Sequence, residues 1–493
     1  MNARSGLEFA EPTIFERGTP GRSGFKVPEC EDGKVAIPAH LLRKTEPEFP
    51  ETSELEVVRH FTRISRMNFG IDVGMYPLGS CTMKYNPRVC EDAAALEGFT
   101  GLHPLLPQDK IQGALAVMAE LEDALAELSG MPAISLAPAA GAHGELTGMM
   151  VIRKALEARG YARKKVLIPD TAHGTNPASC ALVGYKVVSV KSTEDGMLDP
   201  AAVAAAMDDD VAGIMITNPN TLGLFEEHVA EVTKIVHEGG GLVYGDGANF
   251  NAIMGKYRPA DLGLDVIHFN LHKTFSTPHG GGGPGAGPIG VVEELEPFLP
   301  VPRVLRNGDG TFALSVDFPN SIGRIRTFAG QFLVLVRALT YIRALGGAGL
   351  AKAAEMAVLN ANYVRARLAD TYHVAYPGTC MHEVVFSDKL QSKNGVQTMD
   401  IAKRLMDYGF HPPTVYFPLI VKGAMMVEPT ETEDKATLDK FVEVMENIAK
   451  EAIDNPDILH SAPNLTSVSR PDEVLAARKP VLTQMQADQQ DAE

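Results

Sequence analysis

With 493 residues the chain is too long for one ordinary core, and 45% hydrophobic against 22% charged residues is a soluble globular composition. A formal net charge of −17, with an isoelectric point near 5.3, argues against nucleic acid or an anionic membrane as partner. The five cysteines, Cys30, Cys81, Cys90, Cys180 and Cys380, are scattered and include no CxxC pair, so neither a disulfide framework nor a zinc knuckle is expected. They fit a reducing compartment. The N-terminal stretch MNARSGLEFAEPTIFERG carries acidic residues where a signal peptide needs an apolar core, and no uninterrupted apolar run is long enough to span a bilayer. The expected location is the cytoplasm.

Residues 1–105 are rich in proline, glycine and charge, with helical periodicity only near 55–67, and read as an extended N-terminal arm. An amphipathic helix follows, with Ile111, Leu115, Met118, Leu121, Leu125 and Leu128 on one face and Gly130 as its stop. Buried strands are then expected at KVLIP (165–169), KVVSV (186–190), GIMIT (213–217), GLVYGD (241–246) and VIHFN (266–270). Helices near 145–158, 199–208 and 226–238 alternate with them, the pattern of a mostly parallel sheet covered on both faces. Beyond residue 330 a helix over 331–346, a strand at HEVVFS (382–387) and two further helices indicate a smaller α+β domain. The last of these helices carries Leu438, Phe441, Met445 and Ile448 and is expected to open on a capping box of Thr430 with Glu433. The expected division is an arm (1–105), a large α/β domain (106–330), a small C-terminal α+β domain (331–475) and a mobile tail (476–493).

Four segments carry chemistry. Lys273, in NLHKTF directly after a strand, is placed to enter a cleft, where a buried neutral amine can form a Schiff base. Asp246 ends an apolar run between glycines, at the strand edge where ligands of open α/β sheets gather, and could pair with a pyridinium nitrogen. The 27 residues from 246 to 273 accommodate one crossover and the next strand. The run Gly141-Ala142-His143-Gly144-Glu145 opens a helix whose N–H groups could hold a phosphate, and His173 in DTAHGTNPAS could lie flat on a cofactor ring. Each signal alone has a plain alternative: a solvated lysine, a loop aspartate, a common glycine turn, a core histidine. Gly280, Gly282 and Gly285 satisfy GxGxxG formally, but Pro284 and Pro288 oppose a helix there, so no dinucleotide fingerprint is read. His272 and His279 have no third ligand at metal spacing, and no metal is expected.

The segments IFERGTPGRSG (14–24), MYPLGSCTMKYNP (75–87), AAGAHGE (139–145), AHGTNPAS (172–179), GDGANFNAIMG (245–255), NLHKTFSTPHGGGGPG (270–285) and MHEVVFS (381–387) together resemble glycine dehydrogenase (decarboxylating), the P-protein of the glycine cleavage system, most closely subunit 2 of its two-chain bacterial form. The resemblance implies an aspartate-aminotransferase-like (fold type I) pyridoxal-phosphate enzyme of the α/β class. It places the cofactor lysine on Lys273, its pyridinium partner on Asp246 and the ring-stacking histidine on His173; related folds make Ala142, His143 and His272 candidates for the phosphate. It implies decarboxylation of glycine with transfer of the aminomethyl group to the lipoyl group of a carrier H-protein. It also implies a homologous, lysine-free subunit 1 in an α2β2 heterotetramer. The alternatives are another pyridoxal-phosphate reaction on a small amino acid, such as aldol cleavage or transamination, and a non-catalytic binding subunit of a larger assembly. Arg324 and Arg326 are candidates for orienting the substrate carboxylate.

Overall fold

The computed structural model describes residues 11–26, 28, 36–45, 47, 49–280, 285–466, 468–483 and 486. Contacts divide the chain into residues 74–464 and a smaller unit of residues 1–73 with 465–493. In the smaller unit a helix, Glu54–Ser65, opens on a capping box of Ser53 with Glu56, and Glu11 pairs with His60, Arg17 and Arg63. A short helix, Glu473–Arg478, lies where the expected tail begins; residues 487–493 lie outside those described.

The larger unit is built on a seven-stranded sheet. Its strands are β1 (Ala133–Ser135), β2 (Lys165–Pro169), β3 (Lys186–Val190), β4 (Val211–Thr217), β5 (Leu242–Asp246), β6 (Val266–His268) and β7 (Ile289–Val291), in the order β1-β7-β6-β5-β4-β2-β3. The run from β3 to β6 is parallel; β7 is antiparallel to both β6 and β1. Every residue of β4 and of β5 is buried, which is why both read as continuous apolar runs. The register sets Thr217 beside Asp246, so two strands end together at one edge. Helices Gln112–Ser129, Gly141–Ala158, Pro200–Ala206 and Val229–Glu238 fall where periodicity places them, and Gly130 closes the first in the left-handed conformation (φ 75°).

Three expectations are corrected. The strand expected to run to Asn270 stops at His268: its parallel pairing with β5 ends at Ile267, and beyond His268 only bonds toward the β7 side remain, from the Phe269 and Leu271 N–H groups to the carbonyls of Pro288 and Ala286. Asn270 then precedes a short helix, Leu271–Thr274, that carries Lys273. The helix expected over 331–346 continues as Phe332–Leu368, kinked at Gly346 (φ 61°), so the glycine pair bends the helix rather than ending it. Its first half is apolar enough to cross a bilayer by length and composition, yet Arg337 and Arg343 interrupt it and pair with Glu91 and Glu120. Last, helix Lys435–Asp454 is capped by Asp434, which accepts from the Thr437 N–H. Thr430 sits in the left-handed region (φ 63°) and gives its carbonyl to Asn360, so it cannot act as the cap. A strand and not a helix follows Gly285; Gly282 and Pro284 lie outside the described residues.

A second, antiparallel sheet follows, of β10 (His373–Val374), β11 (Val384–Ser387), β12 (Thr414–Val415) and β13 (Ala424–Val427), after a hairpin of β8 (Arg303–Arg306) and β9 (Phe312–Ser315). The MYPLGSCTMKYNP segment runs along this sheet: Leu78 bridges Val427, and the Gly79 N–H donates to the Met426 carbonyl. It is anchored by Lys84, whose buried Nζ donates to Glu431 (2.7 Å), Asn251 (2.8 Å) and Tyr341 (3.2 Å). Removing one member of a buried ion pair strands the other charge, a loss of about 3–5 kcal/mol. Lys84→Met should therefore lower the denaturation midpoint strongly, and Lys84→Met with Glu431→Leu should recover part of it. Equal midpoints for Lys84→Met and the unchanged chain in a urea titration would contradict this anchor.

Candidate active site

A cavity of about 260 Å³ opens at the carboxyl ends of β4, β5 and β6. Lys273 and Asp246 both line it, together with Ser80, Ala142, His173, Thr217 and His272. Lys273 Nζ donates to the Ser80 carbonyl at 2.8 Å. Asp246 is almost fully buried at the end of β5; its Oδ1 accepts the Ala248 N–H (2.9 Å) and its Oδ2 the Asn176 amide (3.0 Å). Burial opposes the charge on Asp246, but His268, Asn176, the Ala248 N–H and Lys273 outweigh it and hold the carboxyl below the usual aspartate range. Burial pushes His268 down to about 4, so at the acid pH where Asp246 would take a proton His268 is itself becoming charged. The ring of His268 is fixed by Tyr244 (2.8 Å) and Asn270 (2.7 Å).

At the other end of the cavity stands the start of helix Gly141–Ala158. Glycine at 141 is required by close approach, since a Cβ there would collide with the Asn270 side chain. Ala142 lines the cavity; the His143 ring turns back to accept the Ala139 N–H (3.1 Å) and does not. His272 and His279 pack edge to face, 4.9 Å between ring centres, and burial pushes them down to about 3 and about 4, which leaves both neutral at pH 7. His173 stands at the mouth, its Nδ1 2.9 Å from the Thr175 hydroxyl and its ring 5.5 Å from that of Phe417. Among the described residues no arginine lines the cavity; Arg324 lines a separate apolar pocket, and Arg326 faces His143.

Sequence reasoning missed several groups. Glu145, in the helix that opens on Gly141, is buried against Asp246 with the Asn176 amide bridging the two carboxyls. Burial first and then repulsion by Asp246 raise Glu145 to about 8, so it is held as a neutral acid. An acid raised in the folded state weakens folding progressively as pH climbs from its unfolded value of 4.5 to about 8. Glu145→Gln keeps an acceptor for Asn176 and removes that penalty, so it should melt higher than the unchanged chain at pH 8, by about 2 °C or more, and equally at pH 4. A flat difference between the two pH values would contradict the assignment. The other missed groups are Ser80, His268, Glu383 and Glu428. Only the acidic residues left a sequence signal, each directly flanking an apolar strand.

A largely parallel sheet with a lysine beside one strand, facing an aspartate at the end of its neighbour, is an arrangement found in pyridoxal-phosphate-dependent enzymes of the aminotransferase class. The model for Aminotransferase class-V matches residues 146–283, and that for Glycine dehydrogenase, C-terminal domain, matches residues 353–463. A protein of Caldanaerobacter subterraneus named "Probable glycine dehydrogenase (decarboxylating) subunit 2" is 55% identical over 474 residues, covering 95% of this chain and 98% of that one. A protein of the same name from Thermotoga maritima is 54% identical over 471 residues, covering 95% and 99%. Among solved structures, inhibitor-bound glycine decarboxylase (P-protein) of the glycine cleavage system superimposes with a TM-score of 0.71 at 20% identity, covering 84% of this chain and 93% of that one. Oryza sativa TDC with PLP gives 0.64 at 15% identity, covering 85% and 92%. The chain belongs to the glycine dehydrogenase (decarboxylating) subunit 2 family. The numbering of these relatives as subunit 2 implies a companion subunit 1.

Proposed function

We propose that this chain is the lysine-bearing subunit of a glycine decarboxylase of the glycine cleavage system, using pyridoxal phosphate on Lys273. The observation that carries the proposal is the pairing, across one cavity, of a primary amine and a buried ionised carboxylate. The donor set fits this cofactor. The helix start at 141–142 offers N–H groups to a phosphate, His272 and His279 add neutral rings, and the Thr217 hydroxyl beside Asp246 is buried without a hydrogen-bond partner. When bound, the cofactor supplies an electron sink for the pair of electrons left on glycine as carbon dioxide departs.

The chain's own residues do the rest. Asp246, with its negative charge, would keep the cofactor's ring nitrogen protonated. His173 at the cavity mouth would pack against the ring. Lys273 would anchor the cofactor, and the Ser80 carbonyl accepts from its free amine. On a carrier H-protein the aminomethyl carbon would bond to one sulfur of a lipoyl disulfide as the S–S bond breaks, and the second sulfur would leave as a thiolate that takes a proton. We assign the companion to a homologous lysine-free subunit in an α2β2 heterotetramer, and the setting to the cytoplasm.

The test is the visible spectrum of the chain with pyridoxal phosphate, before and after borohydride, with peptide mapping. Yellow protein that bleaches and leaves the cofactor on Lys273 is the expected result. Cofactor fixed on another lysine, or none fixed either in the chain or in its complex with subunit 1, would overturn the proposal.

A further inference from the structure

We infer that Glu383 and Glu428 are positioning residues for Lys273: buried as a pair that shares one proton, they clamp the 80–82 loop so that the Ser80 carbonyl faces the Lys273 amine. The inference rests on the cofactor role proposed for Lys273, but its geometry stands without it. Glu383 immediately precedes β11 and Glu428 immediately follows β13, and the two strands pair Val384 with Val427, so the register brings both carboxyls to one end of the sheet. Both are 0% exposed. The Ser80 N–H donates to Glu383 (2.7 Å), the Thr82 N–H donates to one oxygen of Glu428 (3.0 Å), and the Thr82 hydroxyl donates to the other. Between these anchors the loop gives its Ser80 carbonyl to Lys273 Nζ (2.8 Å).

The loop does not take this shape unaided. Ser80 and Thr82 have φ of 64° and 40°, in the left-handed region that side-chain-bearing residues avoid. Such residues persist only where their surroundings hold them, and they gather at functional sites. Here the holding groups are the two glutamates. The same loop lies against the far side of the cavity, where the Thr82 backbone faces the His279 ring.

The partners divide the proton. Glu428 accepts two donors on two oxygens, which suits an ionised carboxylate. Glu383 accepts one donor, and its Oε1 has no hydrogen-bond partner. Among the described residues neither has a lysine or arginine within ion-pair distance, and two buried like charges cannot both persist. The titratable groups facing the pair are Lys273, which favours one negative charge, the neutral buried His382, Cys81, Cys380 and Glu431. Burial and mutual repulsion raise Glu383 well above the carboxylate range, while the Thr82 donors limit Glu428 to about 7, the same ordering.

The assignment makes both positions sensitive to leucine and tolerant of glutamine at 383. A protonated acid and an amide match, so Glu383→Gln keeps the clamp, whereas Glu383→Leu loses the acceptor for Ser80. Leucine at 428 removes both acceptors of Thr82 and breaks the clamp, whereas glutamine there keeps one for the N–H and lets the Thr82 hydroxyl turn round and accept. The experiment is competitive reductive methylation of the cofactor-free chain, with Lys273 scored against exposed Lys234. Glu383→Leu and Glu428→Leu should label Lys273 faster, roughly fivefold, the factor that one lost hydrogen bond sets. Glu383→Gln should label at the unchanged rate. Should Glu428→Leu not fold, Thr82→Val tests the same contact and Thr82→Ser should restore it. The infrared difference between the unchanged chain and Glu383→Gln should contain the carbonyl stretch of a buried protonated acid. In the assembled enzyme Glu428→Leu should lower kcat and leave the KM for glycine, because the clamp acts on the lysine. Labelling of both leucine variants at the unchanged rate, or no protonated-acid band in the difference, overturns the clamp. If instead the chain binds no pyridoxal phosphate while labelling follows this pattern, the cofactor reading fails and the clamp stands.

Discussion

Replacing Lys273 with alanine is expected to abolish glycine-dependent carbon dioxide exchange in the assembled enzyme while leaving a folded chain. Among the described residues Lys273 is the only lysine that lines the cavity, so no other lysine described there stands ready to replace it. Among the described residues its Nζ makes one hydrogen bond, to the Ser80 carbonyl, and no ion pair with an acid, so its loss removes little packing. Elimination of a nucleophile that acts as part of a unit costs on the order of 10⁴-fold or more in turnover. The fall should appear in exchange of labelled carbon dioxide with glycine, with far-ultraviolet circular dichroism and the melting temperature close to those of the unchanged chain. Because the deleted side chain leaves a space at the site, small primary amines in the buffer should restore a fraction of the exchange. Full turnover without the lysine would remove Lys273 from the mechanism. Loss of turnover together with loss of the folded circular dichroism would instead assign it to structure.

The placement of Asp246 and Lys273 at the cavity was legible in the sequence because each sits at the end of a local pattern. An apolar run fixes a strand, the strand's last residue falls at the sheet edge, and the 27-residue interval brings the next strand alongside. The partners that tune them come from far away in the chain. Ser80 lies 193 residues before Lys273, and Glu383 lies 303 residues after Ser80. No periodicity links such positions; only the packing of the second sheet against the MYPLGSCTMKYNP segment does. Glu145 was hidden differently. It follows a glycine turn at a helix start, where an acid is ordinarily a solvated partner of the helix dipole. In the fold that turn of helix faces β5, and the carboxyl is buried against Asp246. His143 shows the converse, a residue in a motif whose side chain serves its own backbone. The kink at Gly346 and the Asp434 cap were missed because glycine in a helix and threonine before one each permit two local outcomes, and tertiary contacts decide between them.

Asp246→Asn is expected to lower kcat by roughly 10²–10³-fold, the range seen when one preorganised electrostatic group is removed from a reacting centre. Asparagine matches aspartate in shape, so glycine should still enter and its KM should change little; the lost quantity is the negative charge that would keep a bound cofactor's ring nitrogen protonated. Stability should fall as well, for a separate reason. Two donors, the Ala248 N–H and the Asn176 amide, use the two carboxylate oxygens, and an amide has only one oxygen to offer. One buried donor then faces another unless Asn176 turns over, at a cost of about 1–3 kcal/mol. The pH dependence separates this loss from a general weakening. A carboxyl whose value is depressed in the folded state contributes stability above its unfolded value of 3.8 and loses it as pH falls through the folded value. The deficit of the asparagine variant should therefore be full at neutral pH and close at acid pH. Urea midpoints at pH 7 and pH 3 measure it, and a deficit that is the same at both would show that the carboxylate charge contributes nothing to folding, leaving its effect on kcat as the only sign of the charge.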